Sequence, residues 1–395
     1  MKIAFLYTAP YNDTGIPIGL SYLIALAKRD HEVSLFETPF IQGDPIPEFQ
    51  SFMEYQSPDM LGIHTTSLCL SQALKMVHSL KHRPITVWGG VGPTVESDWL
   101  NTRIEVDYVC VGPGEKYLMD LLGSEWDGEL PIPDWSLFNP LHFVRMFKGE
   151  KKRWGNFQLS RGCLYSCSYC VNTFYHGIGL KPIKFKSYRI VDEIAELSQK
   201  YNLDLIRIFD ECFGWHFGET EKFARLYNNR VDLPSIIETR PEVITPKMIE
   251  VLKLINCASV SLGIECGNEE QRKTILNRHV SNETIVKAFD LLHDAGIRSA
   301  SYNIIGWPHD TENLIQETID LNKRCRPDFI NWFLASPFPG TRMREYCIRH
   351  DLLEAYYPAD YGKESVIKNP TLKKDRLYEI FGSLTKDWEE AVKVR

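Results

Sequence analysis

The 395-residue sequence lacks several features that would assign it at once to a common class of protein. It has no apolar run near the ~20 residues of a membrane-spanning helix, so no membrane span is predicted. It has no surplus of basic residues: 45 Lys and Arg face 52 Asp and Glu, and the net charge of -7 excludes nucleic acid as an expected partner. The apolar start, KIAFLY, is too short for a signal peptide. We therefore expect a cytoplasmic protein whose thiols stay reduced.

Cysteine is scattered through most of the chain but concentrated in one place. Of the ten cysteines, Cys163, Cys167 and Cys170 fall within QLSRGCLYSCSYCVNT, with the spacing CxxxCxxC. In a reducing compartment such clustering indicates metal or redox ligands rather than disulfides. A structural zinc site needs four ligands, and His176 would have to complete it. An iron–sulfur cluster ordinarily takes four cysteines, so three would leave one iron open to another ligand.

The first 125 residues alternate short apolar strands with helix-period segments, as in a parallel sheet covered by helices. Strands are predicted at 2–7, 32–37, 60–66, 85–90 and 106–112. Helices are predicted at 18–29, 70–80 and 93–100, and after Glu115. This order predicts a flavodoxin-like, Rossmann-type domain over residues 1–125. A linker follows over 126–155, with the prolines of PIPDW and the charged run KGEKKR.

A second alternating series begins after this linker. Strands are predicted at 156–160, 205–210, 235–240, 258–265, 299–306 and 329–336. Helices are predicted at 188–201, 219–229, 245–255, 281–295, 311–324 and 341–350. Six βα units predict a partial (β/α)6 TIM-type barrel over 156–350, open because a closed barrel has eight, with its active face at the carboxyl ends of the strands. The tail, 351–395, is predicted to end in a helix at 373–393 and to cap the open barrel.

The three cysteines follow the first strand of the second series, and Tyr169 stands just before the last of them. In this position CxxxCxxC resembles the motif of the radical S-adenosylmethionine (radical SAM) family. The resemblance implies a [4Fe–4S] cluster on Cys163, Cys167 and Cys170, with SAM bound to the fourth iron. It further implies that one electron from a flavodoxin- or ferredoxin-type donor splits SAM, and that the resulting 5′-deoxyadenosyl radical takes a hydrogen atom from a small-molecule substrate.

Other strand-end segments are similar to elements of the same family. IETRPE and LGIECG place Glu238 and Glu265 where they would accept hydrogen bonds from the SAM amine or ribose. LNRHVS offers Arg278 to the SAM carboxylate, and NIIGWPHD offers Gly306 for a close approach of the backbone to adenine. The alternatives are strand-end ion pairs for the carboxylates and a surface position for Arg278.

Three residues near these segments are candidates for a direct part in the chemistry. DECFGWHFGE, after the second strand, contains Cys212, which would act as a hydrogen donor or redox thiol, and His216. A packed, unreactive thiol is the alternative for Cys212. His309 replaces a glycine that is usual in the fifth-strand segment of the family, as Trp307 replaces a leucine. We expect these two departures from the usual family segment to reflect the particular substrate of this protein.

The loops WGGVGPT and VGPGE of the front domain resemble those of the cobalamin-binding domain that precedes many radical SAM barrels. The resemblance implies cobalamin as a cofactor. The predicted contacts at the strand ends are His64, Gly89, Gly90, Thr94, Gly114 and Glu115. The Asp-x-His-x-x-Gly motif, which supplies a histidine to cobalt in some cobalamin proteins, is absent. A front domain that serves as a scaffold is therefore the alternative.

Together these resemblances imply a cobalamin-dependent radical SAM C-methyltransferase that acts on an unactivated carbon, with a second SAM remethylating the cobalt. The alternative is a radical SAM lyase, dehydratase, cyclase or rearrangement enzyme. An alternative of another class is a non-catalytic metal-binding protein. A methylthiotransferase is disfavoured, because only Cys69 and Cys110 precede the cysteine motif.

Overall fold

The computed structural model of the chain describes residues 1–11, 13, 15–356 and 364–393, and for 387–393 it describes the backbone alone. The chain divides into two compact units, Met1–Arg145 and Met146–Arg395. Residues 357–363 and 394–395 of the predicted tail lie outside the described residues. Among the helices that are described, none is both long and apolar enough to cross a bilayer.

The first unit is a five-stranded parallel sheet with helices between the strands. Its strands are β1 (Lys2–Thr8), β2 (Glu32–Glu37), β3 (Met60–Thr65), β4 (Ile85–Gly89) and β5 (Tyr108–Val109). Its helices are α1 (Ile18–Ala27), α2 (Ile46–Gln56), α3 (Leu70–His78), α4 (Val91–Val95), α5 (Ser97–Leu100) and α6 (Gly114–Leu121). The strand order β2-β1-β3-β4-β5, parallel throughout, is that of flavodoxin. The predicted flavodoxin-like sheet is confirmed.

Helix α2 is absent from the sequence prediction, and its first residues explain why. Pro45 and Pro47 lie on either side of its first residue, and two prolines so close together in a sequence usually indicate a loop. Proline is nevertheless tolerated in the first turn of a helix. Phe49 and Met53, four residues apart, lie on one face of the helix and join the hydrophobic core of the first unit. Burial of that face therefore stabilises a helix whose proline-flanked start the pattern did not reveal.

The predicted linker forms regular contacts rather than a loose connection. Its first part packs on the first unit, where Asp134 accepts a hydrogen bond from Lys28 Nζ at 2.7 Å. Its second part forms the adjacent strands β6 (Val144–Phe147) and β7 (Glu150–Phe157). Lys148 and Gly149 join them with positive φ angles of 52° and 75°, as a two-residue hairpin turn requires. The charged run KGEKKR thus contains a turn and the start of a strand, and the domain limits at 125 and 155 stay predictions.

The second unit is built on six parallel strands, each followed by at least one helix. Its further strands are β8 (Ser160–Arg161), β9 (Ile183–Lys184), β10 (Leu205–Ile208), β11 (Ser235–Thr239), β12 (Cys257–Glu265), β13 (Arg298–Ile305) and β14 (Phe329–Leu334). Its helices are α7 (Asn172–Gly177), α8 (Ser187–Tyr201), α9 (Phe217–Arg230), α10 (Pro246–Leu254), α11 (Glu269–Thr274), α12 (Asn282–Asp294), α13 (Glu312–Cys325), α14 (Arg342–Arg349) and α15 (Lys374–Lys393). The order β7-β10-β11-β12-β13-β14 is parallel at every step. The predicted partial (β/α)6 barrel is confirmed.

The C-terminal tail packs on the β13–β14 side of this sheet. Leu372 and Leu377 join Ile305, Ile315 and Leu334 in a hydrophobic cluster. Because these apolar side chains come from strands, a helix and the tail, their burial holds α15 against the last two strands. The predicted helical tail is confirmed within the described residues.

Candidate active site

The cysteine loop is the connection between two short antiparallel strands. Strands β8 and β9 pair Arg161 with Ile183, and the loop of 162–182 runs between them. The middle of the loop is hydrogen-bonded to residues 275 and 276. Ser168 N donates to Leu276 O at 2.9 Å, and Ser168 Oγ donates to Ile275 O at 2.6 Å. These bonds hold the loop beside the segment that follows α11.

Two of the three cysteine sulfurs accept side-chain hydrogen bonds. Arg240 Nη1 lies 3.1 Å from Cys167 Sγ, and Asn172 Nδ2 lies 3.4 Å from Cys170 Sγ. Burial raises the pKa of the Cys170 thiol to about 11. A buried guanidinium against a sulfur offsets the charge of a metal-bound thiolate, and hydrogen bonds to sulfur are a feature of iron–sulfur sites. The donor chemistry of the loop therefore fits an iron–sulfur cluster on Cys163, Cys167 and Cys170.

His176 is not placed as a fourth ligand to the cysteines. Its Nε2 lies 2.7 Å from the carbonyl oxygen of Cys163, and its Nδ1 lies 3.4 Å from Ser166 Oγ. Both ring nitrogens thus face oxygen atoms of the loop. Across the described part of the chain, no three Cys, His, Asp or Glu side chains are grouped to hold a single metal ion. The geometry therefore does not favour the zinc interpretation of the motif.

Tyr169, Glu265 and Arg278 come together as one group next to the cysteine loop, with Glu265 and Arg278 buried and Tyr169 partly buried. Arg278 is 4% exposed, and its Nη1 lies 3.4 Å from the Tyr169 hydroxyl and 3.7 Å from Glu265 Oε1. Its Nη2 donates to Gly263 O at 2.5 Å. Arg278 is therefore buried and does not occupy the surface position that was the alternative interpretation of the sequence. Glu265 ends β12 with a positive φ of 66°, a conformation that is rare in residues with a side chain.

The electrostatics of this group favour a bound charged ligand. Burial raises the pKa of the Glu265 carboxyl, and Arg278 opposes that shift. Burial tends to lower the pKa of Arg278, but Tyr169 and Glu265 raise it above its ordinary value. A buried cation pairs with the carboxylate of an amino acid, and a buried carboxylate pairs with its ammonium group. Arg278 and Glu265, 3.7 Å apart, provide both partners.

Three buried polar atoms around this group have no hydrogen-bond partner among the described residues. They are Arg278 Nε, Glu242 Oε2 and Trp307 Nε1. The Trp307 ring packs on Tyr169 with centroids 5.3 Å apart, and Glu242 binds Arg240, which donates to Cys167. Buried polar groups are rarely left unsatisfied. A polar ligand beside the cysteine loop would satisfy them, so the residues present fit SAM.

Glu238 belongs to a different group, on the strands of the partial barrel. It forms an ion pair with Arg207 on β10, and Tyr302 on β13 donates to Glu238 Oε1 at 3.2 Å. The guanidinium of Arg207 lies 4.4 Å from the ring of Phe209. Glu238 is thus engaged by other strands, whereas Glu265 contacts the Tyr169–Arg278 group. A SAM contact for Glu238 stays a prediction.

The loop after β10 places Cys212 and His216 in unlike surroundings. Cys212 is fully buried, and its Sγ lies 3.6 Å from Thr239 Oγ1. His216 caps α9, where its Nδ1 accepts from Glu219 N at 3.4 Å. Cys212 is therefore a packed thiol, not one on the open active face. Catalytic roles for both residues stay predictions.

Gly306 and His309 follow β13 in a turn that contacts the tail. Both have positive φ angles, 83° and 65°. A side chain at Gly306 would lie 2.7 Å from Leu377 Cδ2, so the glycine makes room for the tail helix. His309 is exposed, and its Nε2 lies 2.9 Å from the Tyr346 hydroxyl. The adenine contact of Gly306 and the catalytic role of His309 stay predictions.

In the first unit, the predicted cofactor residues lie where β3, β4 and β5 end. The His64 side chain is partly exposed, but the protein around its ring removes enough water to lower the pKa of the imidazole to about 4. Gly90 has a positive φ of 99°, and a Cβ there would lie 2.6 Å from Thr65 O. A Cβ on Gly89 would meet only Cys110, at 3.8 Å. Gly90 thus lets α4 start close against the end of β3.

The remaining predicted residues complete this edge. Gly112 N donates to Thr94 Oγ1 at 3.1 Å, Gly114 starts α6, and Glu115 is buried in that helix. Three exposed apolar side chains follow the three neighbouring strands: Leu68 at 37%, Val91 at 40% and Val111 at 45%. An apolar rim with few charges suits a large, flat ligand. The residues at this edge therefore fit cobalamin.

The sequence analysis missed two side chains that contact the sulfurs as donors. Arg240 is visible in IETRPE, but its pattern gives no sign of a bond to Cys167. Asn172 follows the last cysteine by two residues, and that closeness is the signal that would have found it. Trp307 was noted as a departure, and its contact with Tyr169 depends on two segments far apart in sequence.

Two family models match the chain, in the order of its two units. The model described as B12 binding domain matches residues 6–122, and that of the Radical SAM superfamily matches residues 157–321. The chain contains a radical SAM domain preceded by a B12-binding domain. It is therefore an enzyme, not a non-catalytic metal-binding protein. The cofactors of these domain families are a [4Fe–4S] cluster, SAM and cobalamin.

Individual proteins resemble the chain over much of its length. The "Uncharacterized methyltransferase PH0819" of Pyrococcus horikoshii is 23% identical over 375 residues, 86% of this chain and 80% of that protein. The anaerobic magnesium-protoporphyrin IX monomethyl ester cyclase of Rubrivivax gelatinosus is 23% identical over 324 residues, 71% of this chain and 57% of that protein. The radical SAM methyltransferase TsrM from Kitasatospora setae, solved with tryptophan substrate and a SAM analog, superposes with a TM-score of 0.72 at 16% identity, covering 93% of this chain and 80% of that one. The superposition shows a shared fold.

Proposed function

We propose that the protein is a cobalamin-dependent methyltransferase that adds a methyl group to an unactivated carbon of a small molecule. The observation that carries the proposal is the joining, in one chain, of a B12-binding domain and a radical SAM domain whose cysteine loop lies beside a buried ion pair. The resemblance to methyltransferases in sequence and in fold supports it.

Each part of the second unit has a role in this proposal. The three cysteines hold the cluster, Arg278 binds the SAM carboxylate and Glu265 accepts from its ammonium group. Tyr169 and Trp307 cover the group and exclude water, which strengthens the ion pairs there. When bound, the cluster and SAM supply a carbon radical that removes a hydrogen atom, and cobalamin supplies the methyl group. A flavodoxin- or ferredoxin-type protein of the cytoplasm would supply the electron.

Anaerobic reconstitution with iron, sulfide and reductant, with and without cobalamin, tests the proposal. We expect the chain to retain cobalamin through gel filtration and to convert SAM into both 5′-deoxyadenosine and S-adenosylhomocysteine. The second product should require cobalamin, because methyl transfer from SAM to cobalt produces it. The proposal is wrong if cobalamin is not retained and 5′-deoxyadenosine is the only product.

A second candidate is a radical SAM enzyme that does not transfer a methyl group. The match to the cyclase of Rubrivivax gelatinosus favours it. It predicts 5′-deoxyadenosine without S-adenosylhomocysteine, and equal yields with and without cobalamin. The same reconstitution therefore separates the two candidates.

A further inference from the structure

Two of the three cysteine sulfurs have a neighbouring side chain that donates a hydrogen bond to them. Arg240 Nη1 lies 3.1 Å from Cys167 Sγ, and Asn172 Nδ2 lies 3.4 Å from Cys170 Sγ. Arg240 and Asn172 are called the sulfur donors below. They come from two different places, the end of β11 and the start of α7. Because they act on different sulfurs, their effects on the cluster can be measured separately.

Arg240 is the charged member of the sulfur donors, and its position is fixed from several sides. It is 6% exposed, and its Nη2 donates to Glu242 Oε1 at 2.6 Å. Its guanidinium carbon lies 3.7 Å from the centre of the Tyr165 ring. A rigid, buried positive charge 3.1 Å from Cys167 Sγ acts on the cluster with little screening by water.

We propose that the sulfur donors are positioning residues that raise the reduction potential of the cluster, with Arg240 contributing the largest share. An added electron makes the cluster more negative, so donors to its sulfurs and a nearby cation favour the reduced state. The reduced state is the one that must form before SAM is cleaved. This inference rests on the cluster ligation by Cys163, Cys167 and Cys170 in the proposed function.

The test is an anaerobic redox titration of the reconstituted full chain, followed by EPR, with iron counted in each variant. Arg240→Gln removes the charge and should lower the ratio of reduced to oxidised cluster at least tenfold at a fixed potential, about 59 mV for one electron. Arg240→Lys keeps the charge and should lower it less. Asn172→Ala, which removes a neutral donor, should lower it about threefold. Cys325→Ala, at a fully buried position on α13, is the control.

The outcomes distinguish this inference from the proposed function. Equal potentials in Arg240→Gln, Asn172→Ala and the Cys325→Ala control, each with four irons, overturn it. Should Arg240→Gln fail to assemble a cluster, the difference between Asn172→Ala and the Cys325→Ala control decides alone. A wild-type chain that holds no [4Fe–4S] cluster overturns the cluster ligation as well. A wild-type chain that holds the cluster but transfers no methyl group contradicts the methyltransferase and leaves this inference standing.

Discussion

The carboxyl ends of the strands carry the candidate residues in both units, but the chemistry of the two edges differs. In the first unit the edge has glycines, the apolar side chains Leu68, Val91 and Val111, and a histidine that burial keeps neutral. In the second unit the edge has Arg240 and Arg278 buried among carboxylates and thiols. The same position in two α/β folds thus offers one apolar surface and one charged interior.

This contrast follows from what each ligand demands of a protein. A large, flat ligand gains its binding free energy mainly from apolar contact and needs a backbone without side chains in its way. A small zwitterion and a charged cluster instead need fixed partners for each charge, because an unpaired buried charge is costly. Fold topology therefore tells where a ligand binds, while the side chains tell which kind it is.

The largest effect is expected from a substitution that abolishes the cluster of the second unit and leaves cobalamin binding in the first unit unchanged. Cys167→Ser removes the sulfur that accepts from Arg240 and should abolish formation of the cluster and of 5′-deoxyadenosine. Retention of cobalamin should not change, since its predicted contacts are all in the first unit. Iron analysis, product analysis and cobalamin absorbance measure the three quantities. Loss of cobalamin retention in this variant would show that the edges are not independent, provided that Cys325→Ala behaves as the wild type.

Gly90→Ala should have the opposite effect: it should weaken cobalamin binding in the first unit and leave the cluster of the second unit intact. The positive φ of 99° and the 2.6 Å approach to Thr65 O both oppose a side chain, so we expect a loss of about 2 kcal/mol or more from the first unit. Cobalamin retention should fall sharply while four irons remain bound. Gly19→Ala, in α1 with no atom within 4 Å of the added carbon, is the control and should be neutral or slightly stabilising. Undiminished retention in Gly90→Ala would contradict the assignment of this edge.

A moderate effect is expected at the buried ion pair of the second unit. Arg278→Lys keeps the charge but loses the forked contact, so the Kd for SAM should rise about 10- to 100-fold. Equilibrium dialysis of the reconstituted protein with labelled SAM measures it, and the iron content shows that the cluster is intact. The exposed Arg225, changed to Lys in the same way, supplies the control. An unchanged Kd would mean that Arg278 has a structural role alone.

Much of the fold was predictable because its pattern is local. The alternation of apolar strands and amphipathic helices gave both sheets, and most predicted limits lie within two residues of the observed ones. The start of β7 was misplaced by six residues, because the charged run that precedes the predicted strand gave no apolar signal. Tertiary contacts override weak local pattern in such segments.

The candidate site was predictable where its residues lie in one motif and not where they meet through space. The cysteine spacing names its three residues directly. Glu265 and Arg278 were selected from segments in the resemblance, yet their burial and their contact with Tyr169 depend on packing between β12 and the cysteine loop. The donor Arg240 lies 73 residues from Cys167 in sequence, so no spacing rule connects the two.

The smallest expected effect is a pair of opposite pH dependences, one from each unit. His64 has its pKa lowered from 6.5 to about 4 by burial, so between these values the unfolded chain binds more protons and stability falls as the pH falls. Asp210 has its pKa raised from 3.8 to about 7 by burial, so the folded chain binds more protons in that window and stability falls as the pH rises.

Substitution removes each titration separately and makes the two contributions measurable. His64→Gln should reduce the loss of stability between pH 6.5 and 4, and Asp210→Asn should reduce the loss between pH 4 and 7. Denaturant unfolding of the wild type and both variants at four pH values gives the slopes, and the exposed His78→Gln is a control for the first change. Parallel slopes in the wild type and His64→Gln would mean that this histidine is not held neutral by burial. The first edge would then be able to carry charge at mildly acidic pH, and the contrast between the two edges would narrow to their glycines and apolar side chains.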